Sequence, residues 1–369
     1  MPTRILLVLP SLRGGGVERF VETLLPGLDR ARVLPTLGLL HRVEEAGYAA
    51  GVPEDVPIVD FHKSSALDLP FLVRRIASYF DAERPDVVMG VMTYQNLLIL
   101  AARRISRHRP RVIVTEHTNP DLLARSLRRR WQLLLARRLY RDADVVVCVS
   151  DGQREGVLRH FRLRPERVVR IYNGSNREIA KPIAAHDLPG WPAVGPVIVF
   201  AGHLSQVKGV PHLVEAMPIV RRRVPASLML LGDGDLRKQM EGRVAELGLG
   251  GAVHFLGHVP DPTPYLVAAD VVAVPSLADA LSMTLVEAAR AGAAIVASDC
   301  DYGPREVIND NVSGLLVPPA DTPRLAEAIE RVLIDPALAA RLRDEARRAG
   351  ERFSPERMVA AYEVLIVAA

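Results

Sequence analysis

Two carboxylates, Asp279 and Glu287, stand eight residues apart on either side of a change in sequence pattern. Residues 271–274 are a short apolar, largely β-branched run of the buried-strand type, and 284–291 have helical composition closed by Gly292. The join between them is polar and irregular. In an open α/β sheet, ligands occupy the crevice outside the carboxyl ends of the strands, where loops lead into helices whose first N–H groups lack partners. A helix N-terminus favours phosphate, and carboxylates accept hydrogen bonds from sugar or ribose hydroxyls. The combination suits a nucleotide-sugar. An acid pair alone is ordinary surface chemistry, so the weight falls on the elements around it.

Other stretches offer compatible chemistry. Gly202-His203-Leu-Ser-Gln-Val-Lys208-Gly209 follows an apolar run, and Lys208 is a point charge just before an expected helix, well placed for a diphosphate. Arg305 is a reserve cation, more plainly read as surface. Gly14, Gly15 and Gly16 follow the first apolar run and let backbone approach a ligand. They are not a Gly-x-Gly-x-x-Gly fingerprint, because Arg19 stands five after Gly14. Glu116-His117-Thr-Asn-Pro120 ends another strand pattern; a lone histidine there is commonly structural. Tyr94 and Asn96 are polar residues at the preceding strand end. Asp233-Gly-Asp235 looks metal-like but reads as turn and helix start.

These stretches need a frame to hold them. Strand patterns at 5–9, 33–39, 57–60, 87–89, 112–115, 145–149 and 168–171 alternate with helical ones from 17 and at 69–83, 96–106, 122–141 and 152–161. Alternation of this kind means βαβ units and a doubly wound parallel sheet. Residues 179–195, with four prolines between 182 and 196, read as a linker. A second alternating series follows, with strands at 197–201, 226–231, 252–255, 271–274 and 294–297. Its helices fall after 208, at 236–247, near 265, and at 284–291, 323–334 and 337–348, with a terminal helix after 354. At 369 residues, two domains are the natural division. The boundaries expected are 1–178 with 354–369, the linker 179–195, and 196–353.

Composition narrows the class. Aliphatics carry the 49% hydrophobic content while aromatics are only 5%, which suits Val/Ile/Leu-rich strands under Leu/Ala-rich helices. The two cysteines, Cys148 and Cys300, have no metal-type spacing and are expected as buried thiols in a reducing compartment. The opening Met-Pro-Thr-Arg-Ile-Leu-Leu-Val-Leu-Pro has too short an apolar run for a secretory signal, and no segment is long enough to span a bilayer. The net charge is only +4, but 101–141 holds twelve Arg against Glu116 and Asp121, a local +10. Within that stretch Leu123, Leu127, Trp131, Leu134 and Leu135 share a helical face flanked by Arg128, Arg129, Arg130, Arg137 and Arg138. Such a face packs on its own domain, rests on an anionic membrane, or does both in part. A nucleic-acid binder is disfavoured because base-stacking aromatics are scarce there, and a nicotinamide dehydrogenase because the glycine fingerprint is absent.

The stretch from Asp279 to Glu287 resembles the Glu-x7-Glu signature of retaining glycosyltransferases of family 4, with Asp in the first position. Ala288-Ala-Arg-Ala-Gly-Ala-Ala-Ile-Val-Ala-Ser298 and Gly303-Pro-Arg-Glu306-Val-Ile-Asn-Asp-Asn-Val-Ser-Gly314-Leu-Leu-Val317 are similar to the same family, as is Gly202 to Gly209, where His203 replaces the usual Arg. The resemblance implies a GT-B fold: two facing Rossmann-like domains, with the last helix returning to the first. It implies a catalytic set of His117, Lys208, Asp279 and Glu287. Asp279 would orient donor hydroxyls, Glu287 hold the ribose diol, and the backbone of Met283, Thr284 and Leu285 cap the diphosphate. Gly15, Gly16 and His203 would line the donor, the base would lie at Val259, and Tyr94, Asn96, Arg128, Arg129 and Arg130 would belong to the acceptor or membrane side. No metal or cofactor is expected.

The expected reaction is retaining transfer from a nucleotide diphosphate-sugar, taken as a UDP-sugar, to a saccharide, with a polyprenyl-diphosphate-linked one in view. It would belong to cell-surface glycan synthesis, in the cytoplasm or on the inner face of the cytoplasmic membrane. A soluble sugar or sugar-phosphate transferase and a GT-B nucleotide-sugar epimerase stay open. No side chain identifies donor base, sugar or linkage.

Overall fold

The computed structural model describes residues 1–12, 16–41, 51–63, 68–125, 130–176 and 184–368. The chain divides into two compact units, Met1–Asn176 with Ser354–Ala369, and Arg177–Phe353. Each carries one all-parallel sheet.

In the first unit, β1 (Thr3–Leu9), β2 (Val33–Leu39), β3 (Ile58–Asp60), β4 (Val87–Val91), β5 (Arg111–Glu116), β6 (Val145–Cys148) and β7 (Val168–Arg170) stand in the order β3-β2-β1-β4-β5-β6-β7. The helices are α1 (Gly16–Gly27), α2 (Leu69–Glu83), α3 (Thr93–Ile105), α4 (Pro120–Arg125), α5 (Arg130–Leu139) and α6 (Asp151–Phe161). Apolar layers cover both faces of the sheet, one gathering Leu72, Ile76, Phe80, Ile99 and Phe161, the other Phe20, Leu24 and Met89. That is why β4 is buried at every residue and reads as a continuous apolar run.

In the second unit, β8 (Val197–Ala201), β9 (Ser227–Leu231), β10 (Val253–Gly257), β11 (Val271–Val274), β12 (Ile295–Ser298) and β13 (Leu315–Val317) stand in the order β10-β9-β8-β11-β12-β13. Its helices are α7 (Val210–Arg221), α8 (Arg237–Glu246), α9 (Thr263–Ala268), α10 (Met283–Ala291), α11 (Pro304–Val307), α12 (Thr322–Ile334) and α13 (Pro336–Gly350). β13 and α11 escape the sequence pattern because three or four residues are too short to show a period. The closing helix, α14 (Pro355–Val367), is capped by Ser354 and packs in the first unit. There Met358, Val359, Tyr362 and Ile366 are buried beside Phe20 and Leu24, and Glu363 accepts from the Asp29 amide at 2.6 Å.

One expectation needs correction. Residues 184–195 are not a bare linker. They count with the second unit, where Leu188 is buried and Tyr265 donates its hydroxyl to the Pro189 carbonyl at 3.1 Å. The 122–141 helix is described as α4 and α5, on either side of 126–129, which lie outside the described residues. On α5 the core-facing residues are Leu133, Ala136 and Leu139, whereas Trp131, Leu134 and Leu135 are 41%, 63% and 39% exposed. Of the apolar face read as packing on its own domain or meeting a membrane, Leu123 is thus buried in the core, Leu127 lies outside the described residues, and the other three are turned to solvent.

Candidate functional site

In both sheets the strand order reverses once, between β1 and β4 and between β8 and β11. At such a switch point the neighbouring loops leave in opposite directions and open a crevice at the carboxyl edge. In the second unit the two loops there are 202–209 and 275–282, the ones that carry Lys208 and Asp279. Lys208 Nζ donates to Asp279 Oδ2 at 2.5 Å, with side chains 32% and 14% exposed. Ion pairs between fully exposed side chains contribute little, but a half-covered pair across a crevice fixes an ammonium in place. Asp279 Oδ1 accepts from the Ala280 amide at 3.0 Å, so the carboxylate itself is oriented by its own loop.

The backbone explains why glycine stands beside Lys208. Gly209 has φ 70°, and a Cβ there would lie 1.8 Å from the Pro275 carbonyl oxygen. The loops after β8 and β11 therefore touch, and only glycine permits it.

The loop after β11 feeds α10. Ser282 caps this helix, its Oγ accepting from the Leu285 amide at a long 3.4 Å. Of the three amides expected at a diphosphate, that of Leu285 thus already has an acceptor, while Met283 and Thr284 occupy the first turn. Thr284 Oγ1 donates to the Ala201 carbonyl at 2.9 Å, pinning the helix start to the end of β8. Glu287 lies one turn further and is only 3% exposed. His203 is exposed and Val259 partly so, in the loops after β8 and β10. Arg305 is engaged with Asp299 and 69% exposed. Asp233 accepts from its neighbour Gly234 at 2.8 Å and its carbonyl from Leu204 at 2.9 Å, which is turn chemistry. Among the described residues no group of three His, Cys, Asp or Glu is placed to hold a metal.

In the first unit, Gly16 is exposed and opens α1, while Gly14 and Gly15 lie outside the described residues. Arg128 and Arg129 do too, and Arg130 is exposed at the start of α5. Asn96 cannot meet an acceptor, contrary to expectation. It is fully buried, and its amide donates to the Thr115 carbonyl at 2.9 Å, to Tyr140 Oη at 2.9 Å and to Glu116 Oε1 at 3.2 Å. Tyr94, two residues earlier, is partly exposed.

Sequence reasoning missed Glu116. The carboxyl group is 1% exposed and receives Thr93 Oγ1 at 2.9 Å and the Tyr140 hydroxyl besides Asn96. Burial among neutral donors outweighs those hydrogen bonds and raises its pKa from 4.5 to about 7. Burial, and after it the same carboxylate, pushes the Tyr140 hydroxyl and the Cys148 thiol up. Nothing in an acid preceding a histidine announces this, since the donors arrive from α3 and from Tyr140.

The adjacent His117 shifts the other way. Thr115 Oγ1 donates to the Gly90 carbonyl at 3.1 Å, so the network assigns His117 Nε2–H as donor to Thr115, also at 3.1 Å. His117 Nδ1 then accepts from Asn173 Nδ2 at 3.3 Å, and the Phe20 ring lies 4.9 Å away. Desolvation lowers its pKa from 6.5 to about 3, so the imidazole is neutral at physiological pH.

These shifts have opposite linkage. A carboxyl raised from 4.5 to about 7 contributes stability below pH 4.5 that is lost as pH climbs through 7. A histidine lowered to about 3 costs stability as pH falls below 6.5. Glu116→Gln, uncharged throughout, is therefore expected to gain thermal stability relative to wild type between pH 5 and pH 8. Melting curves across that range check it; a difference that stays flat would mean Glu116 carries no buried charge.

The comparisons with known proteins fit this geometry. The model of "Glycosyltransferase Family 4" matches residues 14–178, and that of "Glycosyl transferases group 1" matches 186–349. The lipopolysaccharide core biosynthesis glycosyltransferase LpsE of Rhizobium meliloti (strain 1021) is 32% identical over 62% of this chain, and the match spans 65% of LpsE's own length. The N-acetylgalactosamine-N,N'-diacetylbacillosaminyl-diphospho-undecaprenol 4-alpha-N-acetylgalactosaminyltransferase of Campylobacter jejuni subsp. jejuni serotype O:2 is 25% identical over 93% of both chains. Among solved structures, Anabaena HepE in complex with UDP and glucose superposes over 100% of both chains with a TM-score of 0.82 at 21% identity, a likeness of fold. With two family models covering most of its length and two parallel Rossmann-like units beneath them, the chain belongs to glycosyltransferase family 4, of the GT-B fold.

Proposed function

We propose that the protein transfers a sugar, with retention of anomeric configuration, from a UDP-sugar to a saccharide acceptor carried on a polyprenyl diphosphate. The observation that carries the donor half is the Lys208–Asp279 pair at the β8/β11 switch point, beside the start of α10. An ammonium, two first-turn amides and two acids are what a diphosphate flanked by polyhydroxylated groups requires. Uracil is the base chosen because HepE is described in complex with UDP and with UDP-glucose. The lipid-linked acceptor is chosen because the Campylobacter relative's name describes one, and because α5 turns an apolar, Arg-flanked face outward.

In the reaction the bond between the anomeric carbon and the diphosphate oxygen breaks as the acceptor oxygen bonds to that carbon from the same face. The acceptor proton passes to a diphosphate oxygen. The chain's share is electrostatic: Lys208, with Met283 and Thr284 amides, stabilises charge growing on the leaving group. His117, neutral and with both ring nitrogens engaged by Thr115 and Asn173, contributes no charge to the reaction. No metal takes part, so transfer is expected to survive EDTA. Loss of turnover in chelator, restored by magnesium or manganese, would refute that.

Calorimetry with a panel of nucleotide-sugars tests the donor reading, and Glu287→Gln localises it. Glu287 is buried on α10, so the isosteric amide keeps the helix packed while removing the charge that holds the ribose diol. UDP affinity is expected to fall by about tenfold or more, the worth of hydrogen bonds to a charged group. Unchanged affinity in a folded variant would displace Glu287 from the site.

A further inference from the structure

Three side chains from three different βα connections meet at the carboxyl edge of the first unit's sheet. Lys63 follows β3, Tyr94 lies in the first turn of α3 after β4, and Trp131 lies in the first turn of α5 after β5. Lys63 Nζ sits over the Tyr94 ring, 4.6 Å from its centroid. Tyr94 and Trp131 meet at 90° with centroids 6.4 Å apart. The row runs ammonium, phenol, indole.

Tyr94 packs against the core of the first unit, but core packing does not account for Lys63 and Trp131. The core beneath α5 is closed by Leu133, Ala136 and Leu139, while Trp131 stays 41% exposed. The Lys63 ammonium has no carboxylate partner among the described residues; its contact is the Tyr94 ring, a modest attraction at a wet site. A half-exposed indole offers the apolar face of a pyranose a flat surface. A compact ammonium beside it suits a phosphate. The open edge of a parallel sheet is where such a ligand binds.

We propose that Lys63, Tyr94 and Trp131 form a saccharide subsite that takes a pyranosyl phosphate, the sugar ring against Trp131 and the phosphate at Lys63. The assignment rests on the transferase reading and names the acceptor group this unit would hold. The phosphate can belong to a soluble sugar phosphate or to a lipid-linked diphosphate, which share this chemistry.

The chain has two tryptophans, Trp131 and Trp191, so Trp191→Phe leaves Trp131 as sole reporter. Its emission is followed under saturating UDP while N-acetylglucosamine 1-phosphate, farnesyl-diphosphate-linked N-acetylglucosamine, methyl N-acetylglucosaminide or inorganic phosphate is added. The two phosphorylated sugars are expected to shift the emission saturably, and methyl glycoside and inorganic phosphate to bind far more weakly. Lys63→Gln should lower affinity for the phosphorylated sugars about tenfold, with little change for the methyl glycoside. A preference for the farnesyl probe would assign the lipid source, and equal affinities the soluble one; either supports the subsite. Silence of Trp131 toward both phosphorylated sugars, or unchanged affinity in a folded Lys63→Gln, overturns it. UDP binding and sugar transfer are measured on the same protein. Transfer with a silent Trp131 removes the subsite and keeps the transferase; a responsive Trp131 without UDP binding does the reverse.

Discussion

Lys208→Ala is expected to lower kcat on the order of 100-fold or more, with a smaller loss of ground-state donor affinity. Charge on the diphosphate increases as the glycosidic bond breaks, so a cation beside it is worth most in the transition state. The pairing with Asp279 makes the loss larger than simple deletion. Without the ammonium, the mostly covered Asp279 carboxylate confronts the diphosphate uncompensated. Lys208→Ala combined with Asp279→Asn should therefore bind UDP better than Lys208→Ala alone, yet remain slow, because neutrality restores affinity without restoring transition-state charge. Steady-state kinetics and UDP calorimetry on the single and double variants separate the two effects. Near wild-type turnover in Lys208→Ala would remove it from the leaving-group site. Arg305 is a poor substitute, since its guanidinium is already engaged by Asp299 at an exposed position.

The parts of this site legible in the sequence are those fixed by local pattern. A β-branched run, a polar corner, a Ser cap and a Gly292 stop place Asp279 and Glu287 at one end of a strand and along one helix, whatever else the chain does. Gly209 beside Lys208 is legible in the same way, though its reason is long-range: the Pro275 carbonyl occupies the space a Cβ would need. What stayed hidden depends on neighbours distant in sequence. The Lys208–Asp279 contact joins residues 71 apart. Asn96 reads as available because it follows a strand end, but its amide is consumed by Thr115, Glu116 and Tyr140. Glu116 looked like a stray acid among arginines until three donors converged on it. For α5, an apolar count over 123–135 showed amphipathicity without showing which stripe the fold would use. Leu133, Ala136 and Leu139 took the core.

The same caution applies to the arginines, and it sharpens the membrane expectation. The count over 101–141 stops just short of Asp142 and Asp144, which pair with Arg104 at 2.6 Å and Arg103 at 3.2 Å. Arg111 donates to the Leu365 carbonyl and Arg137 to that of His160, the latter at 2.7 Å. Much of the local charge is therefore structural. Exposed on α5 are Arg130 and Arg138, bracketing Trp131, Leu134 and Leu135. At α-helical spacing, Trp131, Leu134, Leu135 and Arg138 fall within an arc of about 100°, one side of a cylinder. A lipid surface would gain about 1 kcal/mol for each Arg near anionic headgroups and up to roughly 1.5–3 kcal/mol for each Leu it covers. Leu134→Ser with Leu135→Ser is then expected to cut partitioning onto acidic phospholipid vesicles by about 100-fold. Raising salt should weaken wild-type binding as well, through the arginines. Trp131 is left in place so that the proposed saccharide subsite stays intact, and UDP affinity, proposed for the other unit, should not change. Co-sedimentation reads the partitioning, and transfer to a lipid-linked acceptor should fall with it. If wild-type protein ignores acidic vesicles at low salt, the exposed leucines have another partner. A soluble acceptor then becomes the better reading of the same catalytic corner.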